Sequence, residues 1–239
     1  MILDKVNKSF GVLFLILISI EIVSSKFSNL LSLHDIAMPL LLSTLTLFFF
    51  LRKSAVSKWT GILMLIALSC ALLGDLFLFK SISILFKDIS ILSNKSNSIG
   101  LTLHSIAHLI LILIFYKKIT FRKKFYLYFL LTAFIGVVFL YVYGKLASTA
   151  TNTLVVSIKL IIISTIFLMS SLRKDNVPRD SYFLTLFGSC SLFISFTFLT
   201  FGKWLAFDTH DVIMLPYSLA FLCFVLGVLK QNNTYSNIS

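Results

Sequence analysis

Asp75 sits inside "LLGDLFLF" (residues 72–79), an almost unbroken apolar run. An ionisable group in such surroundings costs roughly 2.5–3.5 kcal/mol on insertion scales, and groups of this kind usually face a bundle interior or a wet cavity. Two imidazoles, His104 and His108, interrupt a second apolar run, "GLTLHSIAHLIL" (100–111). Four residues apart, they share one face of a helix. Lys159 interrupts "TLVVSIKLIII" and Glu21 interrupts "LILISIEIV". A carboxylate, one or two imidazoles and an ammonium make an acid–base set. Apolar surroundings favour the protonated carboxyl, whereas a neighbouring cation opposes that. The same groups are also the parts of a proton relay.

Each of these residues has a plainer reading. Lys159 and Glu21 can snorkel to the interface. The imidazoles can be neutral rings satisfied by nearby carbonyls. Asp75 is too short to reach far, which makes it the strongest candidate. No metal is expected: only three plausible ligands are in view, and no H-x-E or H-E-x-x-H spacing occurs. No G-x-S-x-G stands for a serine hydrolase, and no cofactor motif is present. Cys70, Cys190 and Cys223 lie in apolar runs without CxxC spacing and read as small hydrophobes.

The elements that position these groups follow from composition. The chain of 239 residues is 58% hydrophobic and 13% charged, with mean hydropathy +1.00. Soluble domains carry roughly 45–50% apolar and 25% charged residues, so a soluble fold is excluded. The formal charge of +12 lies in short bursts between apolar runs, which excludes a nucleic-acid-binding face. The runs lack the strict alternation of a membrane β-barrel. Their lengths are near the ~20 residues that span a bilayer as a helix. The pattern therefore predicts an all-α polytopic membrane bundle of about eight transmembrane helices, at 9–26, 35–51, 60–79, 98–116, 125–143, 154–172, 183–201 and 213–229. The first reads as a membrane helix rather than a signal peptide, because Glu21 closes the run and no A-x-A site follows. Residues 1–230 form one transmembrane domain in this reading, and 231–239, "QNNTYSNIS", form a polar tail. Residues 80–98, on the outer side, are expected to form a partly amphipathic segment lying at the interface rather than a free loop.

Fourteen Lys and Arg fall on one side of this topology, among them Arg173, Lys174 and Arg179 in the inner connection after the sixth span, and six on the other. The excess predicts both termini in the cytoplasm and a multi-pass protein of the cell inner membrane. Helix direction then gives depth. Asp75 lies about 6 Å, Lys159 about 7 Å and His104 about 9 Å below the outer helix ends, at 1.5 Å per residue. His108 lies one turn deeper.

The order of these landmarks resembles the YhhN family, the lysoplasmalogenase-like membrane proteins, over nearly the whole chain. "LSCALLGDLFLF" is similar to the family's third-helix Gly-Asp motif through Gly74 and Asp75. "GLTLHSIAHLIL" is similar to the next motif, a Gly followed eight residues later by His, through Gly100 and His108. "MPLLLSTL" (38–45) matches the Lys-Pro-Leu segment at Pro39 and Leu40, but has Met38 for Lys. "ISFTFLTFGKW" resembles the seventh-helix Ser-Asp motif, with Phe196 after Ser195 in place of the second Asp. "PYSLAFLCF" resembles the last-helix Tyr-x-x-Ala-Gln motif, keeping Tyr217 and replacing Gln by Phe221; Leu111 stands where Tyr is frequent.

The resemblance implies hydrolysis of the vinyl-ether bond of alkenyl lysophospholipids, releasing a fatty aldehyde and a glycerophospho-base. General acid–base chemistry carries such a reaction, much as paired carboxyls carry glycosidic cleavage. It implies catalytic roles for Asp75 and His108, with substrate contacts from His104, Lys159, Tyr217 and Gly74. The partner is a membrane lipid or lysophospholipid. The missing second Asp leaves open a diverged relative that binds lipid without cleaving it. Two rival readings remain: a small proton-coupled transporter, and a non-catalytic membrane protein.

Overall fold

The computed structural model describes residues 2–27, 31–78, 90–119, 125–146, 150–205 and 210–231. These residues hold eight α-helices and no strand: α1 (Ile2–Lys26), α2 (Leu31–Arg52), α3 (Lys58–Leu78), α4 (Ser90–Tyr116), α5 (Phe125–Leu146), α6 (Ala150–Leu172), α7 (Arg179–Leu205) and α8 (His210–Leu229). A single 3₁₀ turn at Lys53–Ala55 joins α2 to α3. Five stretches among the described residues are long and apolar enough to cross a membrane: Lys58–Leu78, Ser98–Tyr116, Leu154–Leu172, Arg179–Phe201 and Val212–Leu229. A shorter apolar stretch, Thr132–Lys145, lies in α5. The protein is an all-helical, multi-pass membrane protein.

Local chemistry sets the starts of the helices that matter. Ser57 caps α3: its hydroxyl accepts the Thr60 N–H at 3.4 Å, and its carbonyl accepts the Gly61 N–H at 2.9 Å. This satisfies donors that the first turn leaves orphaned. Pro178 opens α7, where its carbonyl accepts the Tyr182 N–H at 3.0 Å and its missing donor costs nothing. α4 begins at Ser90, two turns before the apolar span at Ser98, because nothing in "SILSNKSN" breaks a helix. The interfacial segment expected at 80–98 is therefore helix from Ser90 onward, and 79–89 lie outside the described residues.

The chain divides into two compact units, Met1–Ile110 and Leu111–Ser239, with the boundary inside α4. In the first, α1 packs on α2 and α2 on α3. Phe14 and Ile18, then Leu41, Leu42, Leu45 and Phe49, then Met64, Ala67, Leu68 and Ala71 form its interior. Phe10 stacks on Phe48 with centroids 3.8 Å apart. The outward faces are equally apolar, with Leu13, Ile16, Leu47 and Leu51 exposed. That is expected where lipid replaces water and close packing, rather than hydrophobicity, holds helices together.

In the second unit the most buried span is α8, which packs on α7. Ala220 through Val225 are all buried, so this part of the helix is enclosed on every side rather than amphipathic, whereas Val212 and Leu215 nearer its start are exposed. α5 is its opposite, presenting Tyr126, Leu130, Phe134, Val137 and Tyr141 outward. The polar tail expected at 231–239 starts inside the fold: Gln231 is buried, and 232–239 lie outside the described residues.

Candidate functional site

In the first unit, α3 and α4 approach until their backbones touch. A Cβ on Gly100 would lie 2.9 Å from the Gly74 carbonyl oxygen and 2.7 Å from Leu78 Cγ. Only small residues permit such an approach between membrane helices. The approach brings His104 Nε2 to 3.0 Å from Asp75 Oδ1, a hydrogen-bond distance. Asp75 is 3% exposed and His104 5%. The imidazole N–H donates to the carboxylate or, with the proton on the other partner, the carboxyl O–H donates to nitrogen. One proton thus has two adjacent seats, and either charge state keeps the bond.

His108 follows one turn along α4, 3% exposed, its ring centroid 6.3 Å from that of His104. Glu21 on α1 is fully buried, so it does not snorkel. Its own carbonyl accepts the Ser24 hydroxyl at 2.9 Å. The first unit thus gathers Gly74, Asp75, His104 and His108 along one helix crossing, with Glu21 as a further buried carboxyl group.

The other two expected site residues belong to the second unit. Lys159, on α6, is half-buried. Tyr217, on α8, is half-buried with its ring edge-on to Phe221 at 5.0 Å. In the same unit, the positions where the family resemblance asks for polar groups are core. Phe196 is buried and stacks on Phe139 at 5.7 Å with 16° between planes. Phe139 also meets Phe193 and Phe201. Phe221 and Leu111 are fully buried. Ser195 keeps a polar role, because its hydroxyl donates to the Ile213 carbonyl at 2.8 Å and so ties α7 to α8. The side chain of Met38 lies outside the described residues.

Sequence reasoning missed Arg173, which it grouped with the charges of an inner loop. Its side chain is fully buried. Nη2 donates to Gln231 Oε1 at 3.2 Å and to Ser181 Oγ at 3.4 Å, and the guanidinium lies 4.8 Å over the Phe115 ring. Ser181 in turn donates to the Gly227 carbonyl at 2.6 Å. Burial pushes the Arg173 pKa down to about 10, which leaves it charged at neutral pH. It stands just past the C-terminus of α6 and bonds Gln231 just past that of α8, where helix dipoles favour a cation. The sequence signal was its place directly after an apolar helix, in "SSLRKD". Arg173→Ala is expected to cost about 3 kcal/mol through the cavity and the lost bonds. Arg173→Met is expected to cost less, since it keeps volume and removes a buried charge. Thermal midpoints in detergent check that order, and the reverse order would contradict it.

No curated protein and no solved structure matches the chain significantly. The sequence model of the YhhN family matches residues 33–228. That stretch runs from the start of α2 almost to the end of α8 and includes Asp75, His104 and His108. With a match over most of its length, carrying the Gly-Asp and Gly-to-His motifs that meet at the α3–α4 crossing, this chain belongs to the YhhN family.

Proposed function

We propose that the protein acts on single-chain membrane lipids as a lysoplasmalogenase-like hydrolase, with Asp75 as general acid. One observation carries this reading: the buried 3.0 Å contact between His104 and Asp75 inside the membrane-spanning part of the chain. Cleavage begins when a carboxyl group protonates the vinyl carbon that bears R in R–CH=CH–O–R′, giving the oxocarbenium ion R–CH₂–CH=O⁺–R′. The resulting carboxylate then faces that cation and stabilises it. His108 takes a proton from water as the oxygen adds. The hemiacetal collapses as His108 returns that proton to the departing glycerol oxygen and the hemiacetal hydroxyl proton goes back to Asp75. The sum is substrate plus water giving R–CH₂–CHO and HO–R′. His104 holds Asp75 in place through the cycle.

In the same reading the protein spans the cell inner membrane eight times, with both termini cytoplasmic. The support is the excess of Lys and Arg on one set of connections. The second carboxylate of the family pattern is replaced by Phe196, so a lipid-binding relative without turnover is the nearest neighbour of this reading. The deciding measurement uses purified protein in vesicles with an alkenyl lysophospholipid. Fatty aldehyde is expected to accumulate. No release above protein-free vesicles removes the hydrolase and leaves the lipid binder.

A second reading, a proton-coupled carrier, rests on the same buried acid and imidazoles, which are also the parts of a proton relay; Pro39 and Pro216 add nothing to it, because α2 and α8 run unbroken through them. Uptake driven by a proton gradient into vesicles that release no aldehyde would select it.

A further inference from the structure

We propose that Gly74 is a positioning residue for the Asp75–His104 pair, because a side chain there would occupy the space that His104 Nε2 needs to reach Asp75. The proposal rests on the acid–base reading of that pair.

The buried face of α3 runs Met64, Ala67, Ala71, Gly74. Alanine fills this face at two consecutive turns and stops at the third. In a helix interior glycine is less favourable than alanine by about 1 kcal/mol, so position 74 forgoes helix stability. The reason is local. A Cβ on residue 74 would lie 2.7 Å from His104 Cδ2 and 2.8 Å from Nε2, both inside van der Waals contact. Nε2 is the atom bonded to Asp75 Oδ1. Turning the ring to relieve the clash carries Nε2 off the carboxylate. Withdrawing α4 opens the same bond, because the next atom within reach is the Gly100 carbonyl oxygen at 3.2 Å. Either response breaks the pair.

Gly100 differs in kind. A Cβ there meets Leu78 and the Gly74 carbonyl, not the imidazole. Gly188, in the second unit, is as tightly packed, with Phe224 ring atoms 2.9 Å from an added Cβ, yet belongs to no proposed site. The three glycines therefore separate direct positioning, helix spacing and general overpacking.

The test compares Gly74→Ala, Gly188→Ala, Asp75→Asn and the double variant Gly74→Ala/Asp75→Asn. It uses the full chain in lipid nanodiscs and an alkenyl lysophospholipid as substrate. Gly74→Ala is expected to lower kcat about 10²-fold with KM within about threefold. The double variant should be no slower than Asp75→Asn alone, since both act through one pair. Gly188→Ala should leave kcat near wild type. In parallel, the ¹⁵N resonance of His104 should move in Gly74→Ala to its position in Asp75→Asn. A Gly74→Ala protein with wild-type kcat and an unmoved His104 resonance overturns the proposal. If wild type releases no aldehyde but the resonance moves as expected, the positioning role stands and only the hydrolase reading falls. If Gly74→Ala does not fold, Gly74→Ala/His104→Ala is expected to fold because the colliding ring is gone. Failure of both also overturns the proposal.

Discussion

Asp75→Asn is expected to lower aldehyde release by about 10³-fold, within the range that general acid–base groups contribute. The substitution is nearly isosteric and keeps a hydrogen-bonding atom beside His104, so packing at the α3–α4 crossing should change little. What it removes is the acid: an amide N–H does not protonate a vinyl carbon. Rate and stability are therefore expected to separate, with the thermal midpoint within a few degrees of wild type. The check is aldehyde release alongside thermal unfolding in the same detergent. A variant retaining a tenth of the activity would move the acid elsewhere, and the buried carboxyl of Glu21 would be next to test.

Phe196→Asp is expected to fail as a repair. It restores the acidic residue type that the family resemblance asks for, and on that ground alone should raise activity. The surroundings decide otherwise. Phe196 is buried against Phe139 in a stack at 5.7 Å, and Phe193 and Phe201 lie against the same ring of Phe139. Emptying a buried phenyl site costs about 3–5 kcal/mol in a protein core. A carboxylate placed there adds a desolvation cost unless it is paired. The thermal midpoint is expected to fall by roughly 10 °C, using 2–4 °C per kcal/mol for a chain of this size, with no gain in aldehyde release. A stable, faster Phe196→Asp protein would show that this face accommodates a polar group after all. Leu111, Phe196 and Phe221, at positions where the family resemblance asks for polar groups, are each buried.

Much of the fold was legible because a bilayer leaves few choices. Backbone groups must be satisfied within each spanning segment, so long apolar runs become helices. The apolar stretches Ser98–Tyr116 and Leu154–Leu172 coincide with the spans read from hydropathy alone. Less legible were the ends. The helix carrying both imidazoles starts at Ser90 because helix formation depends on the absence of breakers, whereas hydropathy reports only where the apolar part begins. The candidate site was legible as a set of residues, since Asp75 and two imidazoles stood out by cost. Its pairing was not. The resemblance pointed to His108, whereas the Asp75 carboxylate meets His104, one turn nearer the start of α4. Which imidazole meets the carboxylate depends on how far one helix slides along another, and no local pattern records that.

The amino-acid sequence by itself determined a multi-pass helical membrane protein of the YhhN family with one conspicuous acid and two histidines in its apolar runs, because insertion cost and helical period act residue by residue. Tertiary structure alone decided three things. It set His104 against Asp75, enclosed Arg173 where a loop charge was expected, and turned Phe196 into core. All three depend on close contacts between residues on different helices. Such contacts depend on the shapes of facing surfaces, above all the bare backbone at Gly74 and Gly100, and shape across an interface is a property of the packed molecule rather than of any segment.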